Sequence, residues 1–393
     1  MSNYLDEVLG RLIAFDTVST HSDVAAMEYL AEHLEHHGFK AALHRSEFSG
    51  VPQANLVAWA GPPQPDGLII SGHLDTVPVE GQPGWEHDPL RMEVVCDRIY
   101  GRGTSDMKGF LAQCVDAAAK LDRARLKRPV VYIFTSNEEV GSLGARRVAP
   151  ELEKILGDVP RPTLAWIGEP TSYGVLHTHK SIAVFEVKVR GRGGHSGAPE
   201  HGVNAIAVMG KVLDVIGRYQ AERRAMRSAE FEGIFESPYD VLNFGTISGG
   251  IAVNVIAEEC VLRLTYRTLP NVDPHLMYRE IHTRLDAIDA HDYGSPNYQA
   301  TIEVGEAMIV PPMLSPRGTA LEQALFETTG TRTSLGALFS TDGAWFSQAG
   351  IIPLICGPGD YDQAHRPNES IRREPFDRGP AMILDVIDRM CCR

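Results

Sequence analysis

The stretch VVYIFTSNEEVG, residues 130–141, is the strongest indication of the fold of this chain. Its apolar start, Val130 to Phe134, is rich in β-branched and aromatic side chains and predicts a buried strand. Glu138 and Glu139 then emerge at the carboxyl end of that strand, where open α/β sheets place their ligands. Because adjacent side chains point in different directions, one carboxylate can hold a metal while the other handles a proton of water. Taken alone, such a pair is more often a solvated surface feature.

Strands and helices alternate on both sides of this stretch. Further apolar runs predict strands at 55–59, 67–70, 164–167 and 351–355. Amphipathic patterns predict helices at 3–15, 22–37, 108–121 and 144–156. Ser22 is the expected N-cap of the second helix, and Gly38 its stop. The alternation favours an α/β fold with a mainly parallel sheet that helices cover on both faces.

The pattern changes near Lys180. Strand signals at 182–189, 241–246, 260–267 and 301–304 are interleaved with helical signals at 203–219 and 274–287. The order strand, helix, two strands, helix, strand is typical of a ferredoxin-like α+β unit. The chain is therefore predicted to hold a first domain, residues 1–179 and 308–393, into which a second domain, residues 180–307, is inserted.

Charge and composition narrow the classes of partner. The 393 residues include 37 Lys and Arg against 51 Asp and Glu, a net charge of -14 that disfavours nucleic acid and anionic membranes as partners. No apolar run is long enough to span a bilayer, and the N-terminus lacks the pattern of a signal peptide. The six scattered cysteines predict reduced thiols in a cytoplasmic protein, with Cys96, Cys114, Cys260 and Cys356 packed in the core.

Further histidine and acidic residues stand near predicted strand or helix ends. His73 and Asp75 follow a strand two residues apart, so Asp75 can hold one ring nitrogen of His73 while the other faces a metal. Asp106 comes just before a helix, where it is either an N-cap or a carboxylate that bridges two cations. Glu169 follows another strand, and His365 lies in a loop beyond the last strand.

Together these residues favour a pair of metal ions. Histidine nitrogens and carboxylate oxygens are ligands of hard or borderline cations. Such a set suits two metals about 3.5 to 4 Å apart that share one carboxylate and a water. Glu138 then remains as the general base.

The sequence resembles, over nearly its whole length, the acetylornithine deacetylase, succinyl-diaminopimelate desuccinylase and aminoacylase family of co-catalytic zinc hydrolases. The resemblance rests on five motifs: SGHLDTVP at 71–78, GRGTSDMKG at 101–109, NEEVG at 137–141, GEPT at 168–171 and QAHRP at 363–367. It implies a zinc-hydrolase catalytic domain and an inserted domain that serves as lid and dimerisation domain.

The resemblance also implies two Zn²⁺, for which Co²⁺ can substitute, bound by five residues. His73 and Glu169 would bind one ion, and Glu139 and His365 the other. Asp106 would bridge the two ions.

Other implied features surround these ligands. Asp75 would orient the histidine of its own motif, and Glu138 would be the general base. A cis peptide bond is expected between Asp106 and Met107. One departure is Asn137, where many relatives carry Asp; that position is not a metal ligand in the family.

Four residues are expected to contact the substrate. By resemblance, His195 reaches the active site of the neighbouring subunit and stabilises the oxyanion, which implies a homodimer. Asn254 and Arg267 match groups that hold the oxyanion or a substrate carboxylate, although Arg267 also fits a surface salt bridge. Gly357 either approaches the substrate closely or forms a simple turn.

Within the family the sequence looks closest to the acetylornithine deacetylases. The implied reaction is hydrolysis of N2-acetyl-L-ornithine to acetate and L-ornithine, a step of arginine biosynthesis. The alternative is a succinyl-diaminopimelate desuccinylase or another N-acyl-amino-acid amidohydrolase or dipeptidase. A metal-dependent binding protein for acylated amino acids is the non-enzymatic alternative, and such a protein has no reason to keep Glu138.

Overall fold

Residues 4–288 and 298–393 are described by a computed structural model, and contacts divide the chain into two compact units. The first unit comprises Met1–Thr178, Met313–Ala337 and Thr341–Arg393, and the second comprises His179–Pro312 and Leu338–Ser340. The inserted domain expected at 180–307 lies within the second unit, which continues to Pro312.

The first unit holds most of the strands and helices. Its strands are β1 Lys40–Phe48, β2 Val51–Ala60, β3 Leu68–His73, β4 Glu93–Val95, β5 Arg98–Tyr100, β6 Val130–Thr135, β7 Leu164–Ile167, β8 Val175–His179, β16 Met313–Leu314, β17 Ser334–Ala337, β18 Ile352–Ile355 and β19 Ser370–Arg372. Its helices are α1 Tyr4–Ala14, α2 Val24–His36, α3 Lys108–Lys120, α4 Leu143–Val148, α5 Leu152–Leu156, α8 Ala320–Thr329, α9 Gly343–Gln348 and α10 Arg373–Ile387.

A nine-stranded sheet forms the centre of the first unit. Its order is β1-β2-β6-β3-β7-β18-β8-β16, with β17 paired to β8. The neighbours β6, β3, β7 and β18 are parallel, whereas β1, β2 and β6 are paired antiparallel. The predicted α/β class is confirmed, and the sheet is mixed, with its parallel pairs at the centre. Because those strands are parallel, their carboxyl ends share one edge of the sheet.

The central strands are buried because helices cover the sheet. All six residues of β3 and all six of β6 are buried, as expected for strands without a solvated face. Helices α1, α3 and α10 pack together in the core that also holds Trp166 and Phe110. Helices α4 and α9 contact β2, β7 and β18. The burial explains why the sequence of these strands is continuously apolar rather than alternating.

The second unit is an α+β domain with its own core. Its strands are β9 Ile182–Arg190, β10 Gly194–His195, β11 Val241–Gly249, β12 Val255–Ile256, β13 Glu259–Arg267, β14 Thr301–Val304 and β15 Met308–Val310, and its helices are α6 Ala205–Ala225 and α7 Leu276–Asp286. The main sheet has the order β11-β13-β9-β14, all antiparallel, with β15 also paired to β9. The predicted strand and helix order is confirmed.

Two predictions about the helices were wrong. The helix expected over 144–156 is broken into α4 and α5 by a 3₁₀ turn that contains Pro150, because proline has no N–H for the helical hydrogen bond. Ser22 is not the N-cap of α2, since Asp23 occupies that position. The Asp23 carboxylate instead accepts a hydrogen bond from Ala54 N at 2.9 Å, which ties the helix start to β2.

All six cysteines are free, and Cys114, Cys260 and Cys356 are buried as predicted. Cys96 is exposed instead, because it lies at φ 54° in the tight turn that joins β4 to β5. Among the helices of residues 4–288 and 298–393, none combines the length and apolar character needed to cross a membrane.

Candidate metal centre

Three parallel strands carry acidic or histidine residues to one edge of the first unit's sheet. His73 is the last residue of β3 and pairs in register with Thr135, the last residue of β6. Glu138 follows three positions later along the chain. Glu169 follows β7, where Gly168 N donates a 2.9 Å hydrogen bond to the carbonyl of Ser71 on β3. The arrangement at this edge is the one predicted from the positions of the strands.

Asp106 lies between two histidines. Its Oδ1 is 2.9 Å from Nε2 of His73, and its Oδ2 is 3.4 Å from Nε2 of His365. The carboxylate therefore faces His73 with one oxygen and His365 with the other. Met107, rather than Asp106, occupies the N-cap position of α3, so the capping explanation for Asp106 does not hold. The cis peptide bond expected between Asp106 and Met107 is present.

Two further glutamates face the same group. Glu139 Oε1 lies 3.0 Å from Nε2 of His365, and Glu169 Oε2 lies 3.9 Å from Nε2 of His73. The ligand atoms of His73, Asp106 and Glu139 all lie within 4.8 Å of one another. The geometry thus brings together all five residues expected to bind metal.

Asp75 supports the site differently from the sequence expectation. Its carbonyl oxygen, 2.9 Å from His73 Nδ1, makes the hydrogen bond to the ring, while its carboxylate is 3.7 Å away. The carboxylate instead accepts hydrogen bonds from the backbone N–H groups of Glu138 at 2.9 Å and Glu139 at 3.2 Å, and from Ser19 Oγ at 2.6 Å. Asp75 thereby fixes both the histidine and the turn that carries the glutamate pair.

The turn after β6 explains why Asn137 is accommodated. Asn137 adopts φ 56°, in the left-handed region that asparagine tolerates better than most residues. Its side-chain amide donates to the carbonyl of Ser19 at 2.9 Å. Ser142, at φ 53°, donates its hydroxyl to Glu138 Oε1 at 3.1 Å. The backbone turn therefore orients Glu138 apart from its neighbour Glu139.

Mutual attraction between the histidines and Asp106 shifts their proton affinities. Burial opposes ionisation of Asp106, yet hydrogen bonds from His365 and His73 hold the pKa of Asp106 well below its usual range. Burial likewise opposes protonation of His73, but its hydrogen bond to Asp106 and the charge of Glu169 raise its pKa well above the ordinary value. Hydrogen bonds to Asp106 and Glu139 raise the pKa of His365 to about 10.

The pKa values of the glutamates are raised, unlike that of Asp106, because several negative charges share one buried space. Burial and the charge of Glu169 raise the pKa of Glu138 well above its usual value. Burial also raises the pKa of Glu169 and of Glu139. A cation bound among these carboxylates would favour the charged form of each and so offset the cost of burying them together.

The donor set fits a pair of divalent ions. Glu169 Oε1 is buried and has no hydrogen-bond partner among the residues that the structure describes, although unpaired buried oxygens are costly. The five donors consist of imidazole nitrogens and carboxylate oxygens, the ligands preferred by Zn²⁺ in hydrolytic sites. His73, Asp106, Glu139, Glu169 and His365 could therefore hold two such ions.

Three further predicted residues belong to the second unit. His195 is exposed on β10, and Asn254 is exposed just before β12. Arg267, at the end of β13, is half-buried and donates to Ser340 Oγ at 3.2 Å. Their roles toward substrate stay predictions.

Gly357 packs against the loop that carries Glu169. A Cβ atom at this position would lie 2.1 Å from the carbonyl oxygen of Gly168 and 2.5 Å from that of Glu169. Its backbone N–H donates to Thr171 Oγ1 at 3.0 Å. The absence of a side chain at Gly357 therefore lets the backbone of 168–169 pack closely against it. A contact between Gly357 and substrate stays a prediction.

Sequence reasoning missed three buried charged residues beside the site. Glu369 and Arg102 form an ion pair at 2.8 Å with both side chains about 1% exposed. Asp342 accepts a hydrogen bond from Thr135, and burial raises its pKa to about 6. The spacing of Glu369, four residues after His365, was a signal that could have drawn attention to it.

Comparison with known proteins identifies relatives of this chain. Residues 69–389 match the family described as "Peptidase family M20/M25/M40". An acetylornithine deacetylase of Pasteurella multocida (strain Pm70) is 31% identical, covering 98% of this chain and 97% of its own length. The acetylornithine deacetylase of Proteus mirabilis (strain HI4320) is also 31% identical, with 96% and 93% covered.

Solved structures share the fold. The metallo-carboxypeptidase Sso-CP2 from Sulfolobus solfataricus, described as an M20 family member, superposes with a TM-score of 0.79 at 18% identity, covering 99% of both chains. The YXEP protein of Bacillus subtilis, described as a dinuclear metal-binding peptidase of the same family, gives 0.62 at 17% identity, covering 97% and 96%. At these identities the likeness concerns the fold alone.

Proposed function

Since this chain belongs to peptidase family M20/M25/M40 and is a hydrolase, we propose that it removes the acetyl group from N2-acetyl-L-ornithine, giving acetate and L-ornithine. The observation that carries the proposal is the placement of Asp106 between His73 and His365, with carboxylates on either side. The relatives named acetylornithine deacetylase, similar over nearly the whole chain, favour this substrate over other acylated amino acids. The reaction would belong to arginine biosynthesis.

Five side chains would hold the metal ions, proposed to be Zn²⁺. His73 and Glu169 would bind one, Glu139 and His365 the other, and Asp106 both. When bound, the ions supply a Lewis acid that polarises the acyl carbonyl and lowers the pKa of a water molecule.

Glu138 is the proposed general base. Its backbone N–H is fixed by Asp75 and its Oε1 by Ser142, so the carboxylate is oriented but takes no place among the proposed ligands. The raised pKa of Glu138, caused by burial and by neighbouring carboxylates, suits a group that must take up a proton and release it again. Glu138 would accept a proton from the attacking water and deliver it to the nitrogen of the leaving α-amine.

Residues of the second unit are proposed to complete the site. His195 would stabilise the oxyanion at the active site of a neighbouring subunit, and Asn254 and Arg267 would hold the oxyanion or the substrate carboxylate. Exposure of the His195 ring on β10 supports such a role, because a buried ring would have no access to a second chain.

A homodimer formed through the second unit follows from the proposed role of that histidine. Strand β11 lies at the edge of the five-stranded sheet. An edge strand can pair with a strand of another chain. Ile247 on that strand is 53% exposed, and Ile251 in the loop that follows is 90% exposed. Apolar side chains exposed at a sheet edge support an association surface.

The test is a comparison of substrates on one zinc-reconstituted sample. Initial rates are measured for N2-acetyl-L-ornithine, N-succinyl-diaminopimelate and a dipeptide, each with and without a chelator. The proposal expects N2-acetyl-L-ornithine to be hydrolysed fastest by orders of magnitude and the chelator to abolish the rate. Faster hydrolysis of the succinylated compound or of the dipeptide would assign the site to that substrate class instead. Metal binding without turnover of any of the three would mean that the substrate is another acylated amino acid.

A further inference from the structure

The Glu369 carboxylate accepts hydrogen bonds from the loop that carries Asp106. The Glu369 side chain is 1% exposed. Its Oε1 accepts hydrogen bonds from the backbone N–H of Ser105 at 2.9 Å and of Asp106 at 3.1 Å. Its Oε2 accepts from the backbone N–H of Gly103 at 3.1 Å and from Arg102 Nη1 at 2.8 Å. Both oxygens of one carboxylate are thus committed to a single short segment.

From this arrangement we infer that Glu369 is a positioning residue, which fixes Asp106 between the two histidines and so sets the affinity of the metal pair. The inference rests on the proposed function, because it assumes that Asp106 bridges two ions. The hydrogen bonds of Glu369 go to backbone N–H groups and to Arg102, not to the side chain of a proposed ligand. It acts through the backbone of the segment 102–106.

The segment needs such a partner because it is neither helix nor strand. Gly101 and Gly103 adopt φ 146° and 83°, so the chain turns sharply just before Asp106. Backbone N–H groups buried in such a turn must find an acceptor other than a regular ladder. A carboxylate that accepts several N–H groups binds them strongly, and its charge is balanced by Arg102. Removing the carboxylate would leave these groups unsatisfied and free Asp106 to move.

The same network reaches the second histidine. Glu369 follows His365 by four residues, and Arg102 Nη1 also lies 3.4 Å from the carbonyl oxygen of Arg366. Arg102 further donates to the side chain of Gln82, whose Nε2 lies 3.3 Å from the carbonyl oxygen of His365. Arg102 and Gln82 therefore link the loop of Asp106 to the loop of His365 through hydrogen bonds.

A matched control distinguishes positioning from ordinary structural support. Glu322 is also a buried carboxylate of the first unit, 3% exposed, and it too pairs with an arginine, a backbone N–H and a hydroxyl, namely Arg317, Gly318 and Ser334. It lies on α8 and contacts none of the proposed ligands. Loss of its charge should destabilise the fold without touching the site.

The experiment titrates metal-free protein with Co²⁺ and Zn²⁺ by calorimetry and follows the visible spectrum of the Co²⁺ form. Glu369→Gln is expected to weaken binding of the metal pair by about 10- to 100-fold and to change the Co²⁺ spectrum, as found when groups that orient ligands are replaced. Glu322→Gln is expected to lower Tm but to leave the affinity and the spectrum unchanged. Gln82→Ala, at a half-exposed position, is expected to fold normally and weaken binding less than tenfold.

The outcomes separate the two claims. If Glu369→Gln and Gln82→Ala bind the two ions as tightly as the unmodified protein, with an unchanged spectrum, Glu369 is structural only and the positioning role is overturned. The proposed function would then stand. If the unmodified protein takes up no pair of ions, both claims are overturned. Should Glu369→Gln fail to fold, the Gln82→Ala titration decides the question by itself.

Discussion

Oδ2 of Asp106 lies 3.4 Å from Nε2 of His365, and its Oδ1 lies 2.9 Å from Nε2 of His73, so one carboxylate joins two histidines from distant parts of the chain. Around it, the glutamates of the site are buried close together, and burial raises the pKa of Glu139 and Glu169. Cations bound among these carboxylates would favour the charged forms, so bound metal ions should stabilise the folded protein.

Removing metal is expected to destabilise the protein. An ion present at one hundred times its Kd stabilises the folded state by about 2.7 kcal/mol. Chelation should therefore lower Tm by about 3 °C for each ion lost, measured by differential scanning calorimetry. Asp106→Ala is the control, because without the shared carboxylate its Tm should not respond to the chelator. A Tm of the unmodified protein that is the same with and without chelator would contradict the metal site.

Glu138→Gln is expected to separate binding from catalysis. The substitution keeps the size of the side chain and its contact with Ser142 but cannot accept the proton of water. Metal content should remain that of the unmodified protein while the rate falls by about 10²- to 10⁴-fold. Glu32→Gln, at an exposed position of α2, serves as the control and should keep full activity. Full activity of Glu138→Gln would remove the general-base assignment.

Mixed dimers test whether His195 acts on a neighbouring subunit. In the proposed homodimer, His195→Ala and Glu138→Gln should each be nearly inactive by themselves. When the two are mixed and allowed to exchange subunits, one site of each mixed dimer would regain both groups, so activity should return to a fraction of that of the unmodified enzyme. Activity is measured before and after exchange. No recovery in dimers shown to be mixed would place the histidine in its own chain's site.

Two glycine substitutions are expected to have opposite effects. Gly357→Ala would put a methyl group 2.1 Å from the carbonyl oxygen of Gly168, and that oxygen belongs to backbone which cannot move cheaply. We expect a loss of more than about 2 kcal/mol in the free energy of unfolding. Gly210→Ala, inside α6 with nothing within 4 Å, should instead stabilise by about 0.5 to 1 kcal/mol. Denaturant unfolding measures both, and equal effects would contradict the packing described.

Asp23 is expected to make stability depend on pH. Burial raises its pKa to about 7 in the folded state, against 3.8 for the ordinary side chain. The folded protein then binds more protons than the unfolded chain between these values, so this group's contribution to stability falls as pH rises from about 4 to about 7. Asp23→Asn removes the titrating group while keeping an acceptor for Ala54 N.

The measurement compares the two proteins by urea unfolding in metal-free buffer. From pH 5 to pH 8 the stability of Asp23→Asn relative to the unmodified protein should rise by about 2 to 3 kcal/mol, since each tenfold change in proton affinity is worth about 1.4 kcal/mol. A difference between the two proteins that stays constant with pH would mean that Asp23 titrates normally in the folded state.

Local sequence patterns predicted most of the elements that form the site. The apolar run from Val130 to Phe134 became a buried central strand, and Leu164 to Ile167 became its neighbour but one. A strand of this kind is recognisable because burial on both faces demands continuous apolar residues. Residues that follow such strands must share one edge of a parallel sheet, which is why His73 and Glu169 could be placed together in advance.

Other features depended on partners that are distant in sequence. Asp23 accepts its hydrogen bond from Ala54 N on another element. The break at Pro150 in the helix expected over 144–156 is different, because a stricter local rule would have predicted it. The choice of the Asp75 carbonyl rather than its carboxylate as the partner of His73 depends on where Glu138 N comes to lie. Backbone groups carry no mark in the sequence, so such choices cannot be read from residue types.

The fold class, the order of the strands along the chain and the side chains gathered at the sheet edge could therefore be predicted from residue patterns, because these features follow from hydrophobic periodicity and strand direction. How those side chains are held is visible only in the folded chain. Glu369 and Asp106 are 263 residues apart and meet through a backbone N–H. A hydrogen bond of that kind depends on the path of both loops in space, and no local pattern specifies that path.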